Sequence, residues 1–265
     1  MINNLPMHGK PNDTRAGDAR RPGRTQVMTG PHPALLQLVA LLPLVVFYEM
    51  AVPFTSLRSG WYHAIDAWSQ RLLGKIGLTE YYLPGLLILA TLLIIHVARR
   101  DPWKATGEDV GKLWFEALLW TVPLFALYLI FTMPIHQLLG SSGMLGLVAR
   151  GPEGLFSNVI LSIGAGLFEE FTFRLLLVSI ILFALQRLFG VPASASQIVA
   201  VCLTAAVFSA AHHFGPGAPP YNPVDFLFRA AAGIYLGATY MLRGFATAAI
   251  VHAMFNIVLA FWAFW

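Results

Sequence analysis

The chain has 265 residues, of which 57% are hydrophobic and only 11% are charged, and its formal net charge is +4. Soluble domains carry about 25% charged residues, so this composition excludes an ordinary soluble protein and favours an integral membrane protein. The basic residues flank apolar runs instead of forming an aromatic-rich patch, which argues against a nucleic-acid partner. Cys202 is the only cysteine, so an intrachain disulfide and a cysteine-based zinc cage are both excluded.

Residues 1–32 form a polar segment with several basic side chains ahead of the first apolar run. The segment is too long and too polar to begin a secretory signal peptide. It predicts a disordered basic tail on the cytoplasmic side of a membrane.

Apolar runs of roughly 20 residues then recur along the chain, the length that crosses a bilayer as a helix. Because these runs are continuous and do not alternate, they predict helices and not barrel strands. The predicted fold is all-α: a polytopic transmembrane helical bundle of seven to eight spans, with the site in the last four. The seven clearest candidates cover residues 34–57, 82–98, 111–133, 155–186, 198–214, 224–243 and 245–264.

One further segment has helical periodicity without the apolarity of a span. Residues 60–80 place apolar side chains at helical spacing with Arg71 and Lys75 between them, which predicts an amphipathic helix in the membrane interface. After the tail, the chain divides into N-terminal transmembrane helices over 33–154 and a transmembrane core over 155–265 that carries nearly all the unusual polarity.

The distribution of basic residues predicts the orientation. Cytoplasmic loops carry an excess of Lys and Arg, and the bias here places the N-terminus in the cytoplasm. The loops then predicted to be cytoplasmic contain Arg99, Arg100, Lys104, Lys112, Arg187 and Arg243, and the outer loops contain Arg58, Arg71, Lys75 and Arg150.

The first polar motif is Glu169-Glu170-x-x-x-Arg174, inside a predicted span. A charge at the centre of a membrane helix costs roughly 2.5–3.5 kcal/mol on insertion scales, so such residues pair, line a wet cavity or do chemistry. Glu170 and Arg174 are i,i+4 neighbours that can pair, while Glu169 is rotated by about 100°. Either carboxylate could serve as a general acid or base, or the cluster could be an ion-pair network that only fixes helix packing.

Two more motifs follow on separate spans: Phe208-x-x-x-His212 and His252-x-x-x-Asn256. Each pair shares one face of its helix. The histidines and the asparagine could activate water and stabilise an oxyanion, or they could be ordinary interfacial or interhelical hydrogen-bonding residues. The spans contain no Gly-x-Ser-x-Gly and no His-Glu-x-x-His, so a serine triad and a zincin are not supported.

In this order, the three motifs resemble the CPBP family, which comprises type II CAAX prenyl endopeptidases and bacterial bacteriocin-processing and self-immunity proteins. The resemblance covers roughly residues 155–260, and every motif position matches. It implies an intramembrane endopeptidase of glutamic type, with Glu169 as the general base that activates water, helped by His212. His252 and Asn256 would stabilise the oxyanion.

The same resemblance gives Glu170, Arg174 and Phe208 supporting roles. It leaves two mechanisms open, because the family has been described both as metalloproteases and as metal-free. If the enzyme uses zinc, its ligands would be Glu169, His212 and His252. Asparagine is a poor zinc ligand and a suitable oxyanion donor, so the sequence favours a mechanism without a metal cofactor.

The predicted activity is hydrolysis of a peptide bond near the C-terminal tail of a membrane-associated protein or peptide. The expected location is a bacterial inner membrane, so the lipid bilayer and the membrane-associated substrate are the expected partners. The alternative is a non-enzymatic membrane scaffold or bacteriocin self-immunity protein that uses the polar core for packing. Such a protein would be expected to have lost a motif residue, and none is lost here.

Overall fold

The computed structural model describes residues 31–51, 83–139, 152–213 and 221–264. Every regular element within these ranges is a helix, which confirms the predicted all-α class. The predicted tail, apart from its last residues, and the predicted interfacial helix over 60–80 lie outside the described residues. The helices are α1 (Ala34–Ala51), α2 (Leu83–Arg99), α3 (Gly107–Leu139), α4 (starting at Pro152), α5 (Ala193–Ala211), α6 (Pro223–Arg243) and α7 (Phe245–Phe264).

Helix α4 is continuous but changes its winding beside the first motif. It is α-helical over Pro152–Glu170 and π-helical over Phe171–Val178, and then it is α-helical over Ser179–Phe183 and π-helical over Ala184–Leu188. π-Helical turns are rare and often mark functional sites. The change of winding begins directly after the two glutamates.

Four described segments are long and apolar enough to cross a membrane: Ala34–Ala51, Gly107–Phe131, Ala193–Ala211 and Phe245–Trp262. This confirms a polytopic membrane protein. Each described helix overlaps its predicted span, and the largest differences are at α3, which extends beyond the predicted 111–133 at both ends, and at α5. Helix α5 begins at Ala193 and not at 198, because Pro192 precedes it in an extended conformation. The small Ala and Ser residues of its first turn lower the hydropathy but do not oppose a helix.

Contacts between helix termini define the two ends of the bundle. At the start of α1, Ala34 N donates to Asp101 Oδ2, just past the end of α2 (3.3 Å). At the start of α7, Ala246 N donates to Gln37 Oε1 of α1 (3.1 Å). We call this end, where the odd-numbered helices begin, the first face.

The opposite end, the second face, is where the odd-numbered helices finish. Gly85 N, near the start of α2, donates to Glu49 Oε1 near the end of α1 (3.1 Å). Ser209 Oγ, near the end of α5, donates to Phe226 O near the start of α6 (2.7 Å). Successive helices therefore run antiparallel.

The first half of α7 lies in the centre of the bundle, where its small side chains are completely buried. Its closest neighbour is α4 at Gly166. A Cβ atom on this glycine would lie 2.6 Å from Ala253 N and 2.8 Å from Ala249 O. Small residues let membrane helices approach at this distance. The approach brings the motif on α7 against the motif on α4.

We predict that Gly166→Ala destabilises the protein by about 1–3 kcal/mol, because the new methyl group meets backbone atoms that cannot rotate away. The matched control is Gly111→Ala on α3, where an added Cβ has no neighbour within 4 Å. The control variant should unfold no more easily than the wild type, since alanine is the better helix former. Unfolding in detergent measures both. Equal effects at the two positions would contradict the close packing.

Candidate active site

A buried ion pair forms the centre of the site. Arg174 Nη1 donates to Glu170 Oε1 at 2.8 Å, and the two side chains are 1% and 0% exposed. Arg174 Nη2 also donates to Gly233 O of α6 (3.2 Å), and its guanidinium carbon lies 4.6 Å from the centre of the Phe208 ring of α5. One cation therefore joins three helices, and its charge is compensated inside the bundle as a buried charge must be.

The same carboxylate orients the histidine of α7. His252 Nδ1 lies 2.7 Å from Glu170 Oε1. An ionised carboxylate only accepts hydrogen bonds, so Nδ1 of His252 carries the proton and donates. The other ring nitrogen, Nε2, then lies 3.9 Å from Oε2 of Glu169. Glu170 thus binds Arg174 and His252 through a single oxygen.

His212, just past the end of α5, also has its ring oriented through Nδ1, here by a backbone carbonyl one helical turn earlier. Its Nδ1 lies 2.8 Å from Phe208 O. A carbonyl oxygen only accepts, so Nδ1 is protonated here too. Nε2 of His212 lies 3.7 Å from the same Oε2 of Glu169. The His212 side chain is 21% exposed and that of Glu169 5%, so the pair lies at the edge of the buried core.

Two imidazole Nε2 atoms therefore point at one carboxylate oxygen. Both distances exceed the usual hydrogen-bond range, and an intervening water molecule could bridge them. When the rings are neutral, each Nε2 offers a lone pair because the proton is on Nδ1. In that state the arrangement provides a carboxylate and two nitrogen acceptors around a small volume, and a doubly protonated His252 would present a donor instead.

Phe208 is the aromatic wall of this volume. Its ring centre lies 4.8 Å from that of His212, 6.1 Å from that of His252 and 5.2 Å from that of Phe173. Asn256 is half-buried one helical turn beyond His252 on α7, so it shares the face of that histidine. The structure thus brings Glu169, Glu170, Arg174, Phe208, His212 and His252 together, with Asn256 one turn away.

Sequence reasoning missed two groups of α6. Gly233 supplies a backbone acceptor, which no side-chain pattern could reveal. Arg229 is half-buried, and it lies close enough to Asp225 and Glu169 for the charges to interact. The sequence did contain a signal for Arg229, because it is an arginine within an apolar helix and intramembrane charge is rarely incidental.

The donor atoms also match the chemistry of zinc, which binds histidine nitrogen and carboxylate oxygen at about 2.0–2.2 Å. A tetrahedral ion would hold such ligands roughly 3.3 Å apart. The spacings here are 3.7 and 3.9 Å. Within the described ranges, no three such side chains are grouped closely enough to hold a metal ion. The residue types therefore fit zinc, while the distances are wider than its coordination shell.

We predict that Glu170→Gln destabilises the fold by about 3–5 kcal/mol, because it leaves the Arg174 charge buried without its partner. The double variant Glu170→Gln/Arg174→Met should recover part of this loss, since neither charge remains. Glu108→Gln is the control, because it breaks an i,i+4 pair with Lys112 that is exposed to solvent. Unfolding in detergent would show a large effect only at the buried pair. A double variant no more stable than Glu170→Gln would contradict this account.

Residues 151–258 match the family model described as Type II CAAX prenyl endopeptidase Rce1-like. No curated protein and no solved structure matches the chain. All three motifs lie inside the matched range, and the match supports CAAX-type intramembrane protease activity in general. The match confirms the family resemblance predicted from the motifs: residues 151–258 are similar to the Rce1-like CAAX protease family.

Proposed function

We propose that the protein is an intramembrane endopeptidase in which Glu169 and His212 activate a water molecule for attack on a peptide bond. The observation that carries this proposal is the convergence of two histidine Nε2 atoms on Glu169 Oε2, at 3.7 and 3.9 Å, beside a second carboxylate that is already ion-paired. The family match supports the reaction class.

The choice between the two glutamates follows from their partners. Glu170 binds a guanidinium and an imidazole at 2.8 and 2.7 Å through the same oxygen. Moving this carboxylate toward a water molecule would leave the Arg174 charge buried without its partner, which is costly. Glu169 has its Oε2 directed at the two Nε2 atoms, so it is the carboxylate that can exchange a proton with a bridging water.

The chemistry then needs only groups of this chain. As the water oxygen attacks the scissile carbonyl carbon, Glu169 takes a proton from the water, and the carbonyl oxygen becomes an oxyanion. The C–N bond breaks when the leaving nitrogen receives that proton from Glu169. His212 Nε2 accepts a hydrogen bond from the water and orients it. General acid–base catalysis of this kind contributes typically 10²–10⁴-fold.

His252 and Asn256 would stabilise the oxyanion, and the geometry adds a condition to this role. Because Nδ1 of His252 donates to Glu170, Nε2 can donate to an oxyanion only when the ring is doubly protonated. In that state Glu170 Oε1, 2.7 Å from Nδ1, would accept one N–H while Nε2 donates to the oxyanion. Glu170 would thus act through His252 as a positioning residue, and the Asn256 amide would be the second donor.

Zinc is the second candidate for water activation. The same three residues, Glu169, His212 and His252, would be its ligands, and the ion would act as a Lewis acid on the bound water. The two Nδ1–H hydrogen bonds would serve equally well to orient metal-binding histidines. We favour the metal-free reaction because both ligand spacings are wider than a zinc shell. The substrate in either case would be a membrane-associated protein or peptide, cleaved near its C-terminal tail.

We predict that Glu169→Gln and His212→Ala each reduce kcat by roughly 100- to 10,000-fold, the range expected for loss of general acid–base catalysis. The measurement is cleavage of a fluorogenic membrane-peptide library by purified protein in detergent, with excess chelator present. Glu116→Gln is the control, because this carboxylate pairs with Arg243 at the first face, away from the site. It should retain wild-type cleavage.

Three outcomes of this assay distinguish the metal-free reaction, the metal-dependent reaction and the scaffold alternative. Cleavage that survives chelation and is lost in Glu169→Gln supports the metal-free reaction. Cleavage lost on chelation and restored by zinc would replace it with the metal-dependent one. Full cleavage by both site variants would contradict the proposal and favour the scaffold alternative, in which the polar core serves only packing.

We also predict that Asn256→Ala lowers kcat by about 10²–10³-fold with little change in KM, since an oxyanion donor acts mainly in the transition state. Steady-state kinetics on a peptide identified in the library assay measures both constants. An increase confined to KM would assign Asn256 to substrate binding instead.

A further inference from the structure

One of the reactive groups, His212, lies at an end of the bundle, while Glu169 is near the middle of α4. His212 directly follows the last residue of α5, so it is at the second face. The Ser209–Phe226 hydrogen bond joins this end of α5 to the start of α6. The ring of Tyr221, 64% exposed at the start of α6, lies 5.2 Å from that of His213, the neighbour of His212. Solvent at the second face is therefore close to His212.

The path from the first face is closed by packed side chains. Phe245 and Ala246, at the start of α7, are completely buried. The ring of Phe245 packs edge-on against that of Phe171, which directly follows Glu170 (6.5 Å between centres). Tyr240, near the end of α6, is 1% exposed. The first face is therefore closed by packed side chains, whereas His212 at the second face is 21% exposed, so water and substrate would reach Glu169 from the second face.

The basic residues lie mostly at the other end. Two of the lysines and arginines in the described ranges are inside or near the site: Arg174 and Arg229. The others are at or near the first face, where α2, α4 and α6 end and α3 begins: Arg99, Arg100, Lys104, Lys112, Arg187 and Arg243. Basic residues near span ends mark the cytoplasmic side of a membrane.

We infer that the active site opens to the non-cytoplasmic side of the membrane, so that its substrates are membrane-anchored proteins whose cleavage segment has already been exported. This inference rests on the proposed function for the identity of the site. The first face, with its basic residues, is cytoplasmic, and the second face, with His212, is external. A tail that remains in the cytoplasm would not reach Glu169.

Thiol labelling in cells tests the orientation. The background variant is Cys202→Ser, because Cys202 is exposed on α5. Two single cysteines are then introduced at exposed positions outside the site, Lys104→Cys at the first face and Tyr221→Cys at the second. A membrane-impermeant maleimide is added to intact cells that express the full chain, and to the same cells after permeabilisation as the reference for complete labelling.

We expect the cysteine at 221 to react at least tenfold more than the cysteine at 104 in intact cells, and both to react after permeabilisation. Preferential labelling at 104, or equal labelling of both in intact cells, would overturn the inference. The readout needs no cleavage, so Glu169→Gln in the same background should label identically. A failure of the proposed chemistry and a failure of the proposed sidedness are therefore separate results.

Discussion

The active site depends on a buried positive charge that requires a compensating negative charge beside it. Arg174 is 1% exposed inside a membrane bundle, so it requires a compensating carboxylate, and Glu170 provides it at 2.8 Å. That oxygen also accepts the Nδ1 proton of His252, which ties α7 to α4. Because the pairing fixes which nitrogen of His252 is protonated, it also fixes what the ring presents to Glu169. One ion pair thus supports the packing and prepares the chemistry.

The packing of small residues makes this arrangement possible. Gly166 lets the backbone of α7 approach α4 closely, and the fully buried alanines of α7 keep the contact tight. α4 changes to π-helical winding directly after Glu170. Glu169 and Glu170 lie in the α-helical part, where adjacent residues point about 100° apart, yet both take part in one cluster. Dispersion between small, close-packed residues, and not a hydrophobic driving force, holds such helices together in lipid.

Much of this architecture could be predicted from the sequence. The apolar runs gave the helices, and the Glu170–Arg174 spacing predicted an i,i+4 pair that the structure contains. The start of α5 was placed too late, because a first turn of Ala and Ser is weakly hydrophobic. The π-helical segments had no sequence signal, since they depend on packing around α4. The domain division at 155 stays a prediction.

The finer features of the site needed three-dimensional contacts. Helical spacing alone left the roles of Glu169 and Glu170 open, because both lie on one helix and either could have paired with another element. Their difference depends on His252, which is 82 residues away along the chain. The carbonyl of Gly233 has no side-chain signature. The protonation of each ring depends on a partner, Phe208 O or Glu170, that no local pattern specifies.

The central claim is that both site histidines carry a proton on Nδ1, so that both Nε2 atoms face Glu169. Nitrogen-15 NMR of histidine-labelled protein in detergent tests it most directly, with His212→Ala and His252→Ala used to assign the two resonance pairs. The account predicts that Nδ1 is protonated in both rings, because each Nδ1 faces an acceptor oxygen. A ring of either residue protonated on Nε2 alone would contradict it.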